Sequence, residues 1–152
     1  NAYARKAGAL KDLKKDAEMV ETLEAGLKIA PGNKTMEKLY AIHYLKEGQK
    51  FQKANDINKA EESYKQVTTL SNKKWKTDAL YSLGVLFYNN GANVLKKAAP
   101  LATSDADKYA TEKAAADADF KKASDYLKEA VALSPDRAEI KKMLGQVEES
   151  LK

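Results

Sequence analysis

Few side chains in this 152-residue sequence have the type and spacing that catalysis requires. His43 is the single histidine and no cysteine is present, which excludes paired-imidazole metal sites and thiol chemistry. Within one helical turn, His43 has only Lys46 and Glu47 as polar neighbours, so a general base there would lack a hydroxyl nucleophile to activate. We therefore interpret His43 as a surface or groove residue.

Carboxylates and glycines also lack the patterns of known sites. The pairs Asp105, Asp107 and Asp117, Asp119 have neither the glycine nor the spacing of a calcium loop. No glycine-rich phosphate-binding motif occurs. A glycosylation sequon begins at Asn33, but its simpler role is to cap a helix. We predict a non-enzyme with no metal and no cofactor.

The formal charge of +5 raises the possibility of an anionic partner. Only Arg5 and Arg137 are arginines, whereas bidentate recognition of phosphates and bases favours arginine. The lysines alternate with acidic residues, as on solvated helix faces. We predict no specific nucleic-acid partner. Because no apolar run approaches the ~18 residues that a membrane span needs, we also predict no span.

The elements that would position any site are helices. Only seven glycines and three prolines interrupt the chain, and no stretch alternates with the period of a strand. The apolar spacing over residues 1–30 fits one long helix or two joined near residues 14–16, and a stop follows at Pro31. Further helices are predicted at 35–54 and 57–70, with Asn55 and Asp56 as C-cap and N-cap.

A spacing of apolar residues recurs along the sequence. Its copies are Ala123, Leu127, Ala130, Leu133 and Pro135; Ala60, Tyr64, Val67 and Leu70; and, as the loosest copy, Met19, Leu23, Gly26, Ile29 and Pro31. Leu80, Leu83, Gly84 and Phe87 form a complementary L-x-x-L-G-x-x-F pattern. Over roughly residues 16–152 the chain thereby resembles the tetratricopeptide repeat family, whose units are helix pairs of about 34 residues.

The resemblance implies an all-α fold in which antiparallel helical hairpins stack as a short right-handed α-solenoid. A single domain over 1–152 would contain a loose first repeat at 1–33, a second hairpin at 35–72, an extended hairpin at 76–135 and a closing helix at 136–152. Asp136 is the predicted cap of that closing helix. Trp75, in the predicted linker 71–76, is either a packed lid or an exposed anchor.

The extended hairpin arises because roughly 27 extra residues separate the two halves of its repeat. Large and small residues alternate every seven positions, which pairs Gly84 with Leu127 and Gly91 with Phe120. The predicted helices run over 76–101 and 105–133, with Ser104 and Asp107 as a capping pair between them. The projecting end is predicted to be a spacer or a second contact surface.

In the resembled family, the first helix of each hairpin lines a groove that binds a peptide or helix of a partner protein. The corresponding partner-binding residues here are Ile42, Leu45, Gln49, Gln52, Tyr81, Val85, Tyr88, Asn89, Lys142 and Gln146. The family's clamp for a C-terminal carboxylate is absent. Two alternatives stay open: a helical binder of an anionic polymer or membrane surface, and an accessory domain of a larger enzyme or assembly.

The missing cysteines and the start without methionine favour a bacterial periplasm or cell envelope as the compartment.

Overall fold

The computed structural model describes residues 1–152, and every regular element in it is an α-helix. The helices are α1 (Ala2–Asp12), α2 (Asp16–Ile29), α3 (Lys34–Lys53), α4 (Ile57–Thr68), α5 (Lys73–Ala98), α6 (Leu101–Ser104), α7 (Ala106–Leu133) and α8 (Ala138–Ser150). None of them has the length and apolar character needed to cross a membrane.

The first thirty residues form two helices rather than one. Lys14 has a left-handed backbone with φ of 57°, which ends α1 before α2 begins. Asn33 caps α3 through its side-chain oxygen, which accepts a hydrogen bond from the Met36 N–H. Asn55 has a φ of 58° just after α3, and the Asp56 side chain accepts from the Lys59 N–H at the start of α4. The predicted cap roles of Asn33 and Asp56 are confirmed, whereas the C-cap of α3 is Ala54 and the predicted C-cap Asn55 follows it in a left-handed conformation.

The chain forms two compact units, residues 1–79 and residues 80–152. In the first unit α1 packs with α2 and α3 packs with α4. Its buried core consists of Ala7, Leu10, Met19, Leu23, Met36, Tyr40, Ala41, Val67, Leu70 and Ala79. Trp75 is half-buried against this core, so the packed interpretation of Trp75 is confirmed. It lies in the first turn of α5 rather than in a linker.

A buried carboxylate holds the connection between α4 and α5. Glu37 on α3 is only 3% exposed, and its Oε1 accepts hydrogen bonds from both the N–H and the hydroxyl of Ser71, each 2.7 Å long. A buried carboxylate needs such donors because its desolvation is otherwise costly. Asn72 then caps α5, since its Oδ1 accepts from the Trp75 N–H.

In the second unit, α5 and α7 pair in the predicted register. A Cβ placed on Gly84 would lie 2.5 Å from Cγ of Leu127, and one placed on Gly91 would lie 2.9 Å from Cε1 of Phe120. Both distances are shorter than van der Waals contact, so only glycine permits this approach of the two helices. Ile140 and Val147 on α8 are fully buried, and α8 packs with α7.

The ends of the long hairpin differ from the predicted ones. Helix α5 runs over Lys73–Ala98 instead of 76–101, and the separate turn α6 follows Pro100. A proline lacks the N–H that would continue the α5 hydrogen bonding. The Ser104 hydroxyl donates to the Pro100 carbonyl, and Asp105 caps α7 by accepting from the Lys108 N–H. The predicted capping pair of Ser104 and Asp107 is therefore wrong.

The predicted cap of the closing helix is also wrong. Arg137, not Asp136, occupies the N-cap position of α8, and its side chain caps no backbone N–H. Instead, Arg137 Nε donates to Oε1 of Glu139 at 2.7 Å, and this contact lowers the pKa of the Glu139 carboxyl. The first turn of α8 thus gains a carboxylate near its positive end by way of Glu139.

Candidate functional site

A cleft in the first unit lies along α3, beside the end of α1 and the start of α2. Its volume is about 310 Å³. It is lined by Lys11, Asp16, Met19, Leu39, Ile42, His43, Lys46, Glu47 and Lys50. The apolar part consists of Met19, Leu39 and Ile42. Met19 is nearly inaccessible, whereas Leu39 and Ile42 are half-buried and therefore still partly in water.

Charged side chains surround this apolar patch. Lys11, Lys46 and Lys50 are exposed, and Asp16 and Glu47 supply negative charge. The cleft therefore offers mixed polar groups around an apolar centre, which is the usual composition of a recognition surface.

His43 lies in the cleft, in agreement with its interpretation as a groove residue. Its Nε2 is 3.7 Å from Oε2 of Glu47, and its ring makes an edge contact with Tyr44, with centroids 5.0 Å apart. No group of three or more histidine, cysteine or carboxylate side chains could hold a metal ion. No hydroxyl or thiol side chain lines the cleft.

The four predicted binding residues of α3 have different surroundings. Ile42 lines the cleft, while Leu45 is half-buried against the core of the first unit. Gln49 is exposed. Gln52 accepts a hydrogen bond from the Tyr64 hydroxyl at 2.8 Å, so its carbonyl is occupied within the α3–α4 hairpin. The structure brings only Ile42 of this set into the cleft.

The remaining predicted binding residues belong to the second unit. Tyr81 and Val85 on α5 are half-exposed, and Asn89 is exposed. The Tyr88 ring packs toward α7, with its centroid 5.8 Å from that of Phe120. On α8, Lys142 and Gln146 are exposed. Tyr81, Val85 and Tyr88 recur at helical spacing, and we call them the α5 face.

Several cleft residues were not predicted from the sequence. Leu39, Lys46 and Lys50 are among them, and with His43 they follow one stripe of α3 at intervals of three to four residues, next to Ile42. That periodicity was a usable signal, because residues three and four apart lie on one side of a helix. Lys11, Asp16 and Met19 offered no such signal, since they enter the cleft through the packing of other helices.

Two buried tyrosines, Tyr40 and Tyr64, and the half-buried Tyr44 lie on α3 and α4. Burial raises the pKa of Tyr40 and of Tyr44, and raises the pKa of Tyr64 to about 12. The Tyr40 hydroxyl donates to Oε1 of Gln66 at 3.0 Å. These phenols therefore stay neutral near neutral pH, and those of Tyr40 and Tyr64 donate hydrogen bonds between α3 and α4.

Comparison with known proteins gives two findings. Residues 1–33, which include α1 and α2, match the tetratricopeptide repeat model. The whole chain is similar to the 1.50 Å crystal structure of a TPR repeats protein from Bacteroides fragilis NCTC 9343, with 65% sequence identity and a TM-score of 0.95. The match covers 98% of this chain and 66% of that one, so the chain spans slightly under two thirds of that relative's length. Comparison with curated proteins produced no match.

Proposed function

The chain belongs to the tetratricopeptide repeat family, as its spacing predicted, and on that premise we propose that it is a non-catalytic scaffold that binds a peptide or helix of a partner protein. Stacked helical repeats of this kind present extended surfaces that bind other proteins. The observation that carries the proposal is the α3 cleft, where Leu39 and Ile42 stay partly in water beside a charged rim.

The size and composition of the cleft suit a side chain of a partner. At about 310 Å³ it has room for an apolar side chain and part of its backbone. Covering Leu39 and Ile42 would remove apolar surface from water, which contributes roughly 25 cal/mol per Å². Met19 lies at the base, and a thioether adapts its shape to different apolar partners.

The α5 face, in the second unit, is a separate proposed binding surface. Tyrosine provides a large, stiff contact area with a polar tip, and such residues often dominate binding energy. Tyr81 and Val85 retain exposed area, and Asn89 adds exposed amide groups for hydrogen bonding. The remaining proposed binding residues are Leu45, Gln49 and Gln52 on α3, and Lys142 and Gln146 on α8.

The test begins with capture of partners from a lysate of the organism that encodes the chain, followed by calorimetric titration of the purified partner. We expect Ile42→Asp to weaken binding about tenfold or more, because it places a carboxylate in the apolar centre. Tyr81→Ala and Tyr88→Ala should each weaken binding by ~1–2 kcal/mol.

Ile29→Asp is the matched control. Ile29 is 68% exposed and does not line the cleft, so the same chemical change there should leave affinity unaltered. Wild-type affinity in Ile42→Asp, Tyr81→Ala and Tyr88→Ala would contradict the proposed surface. Equal losses in Ile42→Asp and Ile29→Asp would show a general effect of added charge instead.

A further inference from the structure

A second cavity of the first unit is bounded by α2, α3 and the connection between α4 and α5. Its volume is about 570 Å³, and it shares no lining residue with the α3 cleft. Leu27, Pro31 and Leu70 supply its apolar lining. A space of this size has room for a long side chain of a partner together with some of its backbone.

Glu37 is the buried charged residue of this lining, and the fold uses only one of its two oxygens. Oε1 accepts both hydrogen bonds from Ser71, whereas Oε2 accepts none from the protein. The only fully enclosed side-chain oxygen or nitrogen without a partner is Oδ1 of Asp117, so Oε2 of Glu37 is not sealed off from the cavity. Because a buried carboxylate is costly without donors, this oxygen favours a ligand that donates.

Two neighbouring groups of the lining are also acceptors. Glu24 on α2 adds a second carboxylate, which is exposed at the edge of the cavity. The Tyr40 hydroxyl already donates its proton to Gln66, so its oxygen is left to accept a further hydrogen bond. With Glu37 these groups form an acceptor set that carries two negative charges, and a positively charged donor complements it best.

Two lysines of the lining do not neutralise these carboxylates. Lys28 is exposed and Lys76 is half-buried, and neither forms an ion pair with Glu24 or Glu37. Their long stems allow the ammonium groups to extend into water. Negative charge is therefore held at the buried side of the cavity and positive charge at its rim. An anion bound by the lysines would leave Oε2 of Glu37 without a donor.

We propose that this cavity binds a lysine or arginine side chain of a partner protein. The ammonium or guanidinium group donates to Oε2 of Glu37, next to Glu24 and the Tyr40 oxygen, and the aliphatic stem contacts Leu27 and Leu70. Hydrogen bonds between such cations and a carboxylate are stronger than those between neutral groups. The inference rests on the proposed function, because the basic residue belongs to the partner segment that the scaffold binds.

Short peptides with blocked ends serve as probes, titrated into the isotope-labelled full chain and followed by the NMR shifts of backbone amides, including the Ser71 N–H that bonds to Glu37. Peptides with a central lysine or arginine between two glycines should bind with a dissociation constant on the order of 1 mM. A norleucine peptide, which keeps the aliphatic stem without the charge, should bind roughly tenfold more weakly or not at all. A glutamate peptide should not shift these amides.

Glu37→Gln removes the charge but keeps an acceptor for Ser71, and it should weaken binding of the lysine peptide roughly tenfold or more. Glu24→Gln, at an exposed position, should weaken it only about threefold. Glu21→Gln is the matched control, because Glu21 is exposed on the same helix and does not line the cavity. Thermal unfolding followed by circular dichroism verifies the fold of each variant. If Glu37→Gln does not fold, Glu24→Gln and the norleucine peptide still decide.

Three results overturn the proposal: wild-type affinity in a folded Glu37→Gln or in Glu24→Gln, equal binding of the norleucine and lysine peptides, or stronger binding of the glutamate peptide, which would assign the cavity to an anion. Ile42→Asp changes only the α3 cleft and should bind the lysine peptide like the wild type. If a partner binds through the cleft but the peptides do not bind, only this cavity's assignment fails. If the peptides bind while Ile42→Asp keeps full affinity for the partner, the cleft fails instead.

Discussion

The α3–α4 hairpin and the α5–α7 hairpin solve the same packing problem with different side chains. In each, a glycine on the first helix receives a large side chain from the returning helix. Gly48 is covered by the Tyr64 ring, whereas Gly84 and Gly91 are covered by Leu127 and Phe120. The requirement common to both hairpins is a close approach of the backbones at glycine, and the chemical identity of the large residue is free to vary.

The two hairpins also differ in polar bonding. In the shorter one, the Tyr64 hydroxyl donates to Gln52 and the Tyr40 hydroxyl donates to Gln66. In the longer one, Asn90 Nδ2 donates to Asp119 Oδ2 at 2.8 Å. The longer hairpin, with helices of 26 and 28 residues, has the glycine contact twice, at Gly84 and Gly91, whereas the shorter one has it at Gly48.

Removing the Leu127 side chain, which covers Gly84 in the long hairpin, should have the largest effect on stability. Leu127 is fully buried, so Leu127→Ala should lower the free energy of unfolding by ~2–5 kcal/mol by leaving a cavity beside Gly84. Urea denaturation followed by far-UV circular dichroism measures this. Leu101→Ala, at a half-buried position in α6, should cost less than ~1 kcal/mol. Equal costs for the two variants would contradict a register based on Gly84.

Adding a methyl group to the glycine of the short hairpin should have a smaller effect. Gly48→Ala should destabilise the first unit by ~1–3 kcal/mol, because the new Cβ overlaps the rigid Tyr64 ring. Fluorescence of Trp75, which packs on that unit's core, monitors the unfolding. Gly8→Ala is the control, since its Cβ meets nothing within 4 Å and alanine favours the helix. A stabilised Gly48→Ala would show that the ring moves freely.

The smallest effect concerns the hydroxyl of Tyr64. Burial raises the pKa of Tyr64 from 10.0 to about 12, so the unfolded chain loses this proton at lower pH than the folded chain. The contribution of the protonated Tyr64 hydroxyl to the free energy of unfolding is therefore fully present below pH 10 and is lost as the pH rises toward about 12. Tyr64→Phe should reduce this alkaline loss and cost ~0.5–1.5 kcal/mol at neutral pH.

Denaturation at a series of alkaline pH values, together with phenolate absorbance, measures the Tyr64 effect. Burial also raises the pKa of Tyr40. Because Tyr40 remains in the variant, part of the loss of stability at alkaline pH should remain. An unchanged alkaline profile in Tyr64→Phe would contradict a buried, neutral Tyr64.

Most helices and the pairing of the long hairpin were predictable because their signals are periodic and local. The seven-residue alternation around Gly84 and Gly91 specified which residues meet, and the structure confirms that register. The ends of helices were less predictable. Ser104 and Asp105 are both suitable caps, and only the turn that follows Pro100 decides that Asp105 accepts the bond from Lys108.

The candidate site was predicted less completely than the fold. Ile42 was predicted and lines the α3 cleft, but Gln52 bonds to Tyr64 within its own hairpin. Repeat position alone could not distinguish these cases, because both residues follow the same helical spacing. Whether a polar residue of α3 stays available or bonds within its hairpin depends on whether a neighbouring helix supplies a hydrogen-bond partner, as Tyr64 does for Gln52.

The sequence by itself determined the all-α class, the repeat spacing and the glycines at which helices approach, because helix propensity and side-chain period act over a few residues. Only the tertiary structure decided which polar and apolar groups remain available to a partner. Exposure is a property of the neighbours: Met19 and Lys11 enter the cleft because α1 and α2 pack beside α3. Contacts between residues that are far apart in the sequence form only when the helices pack together.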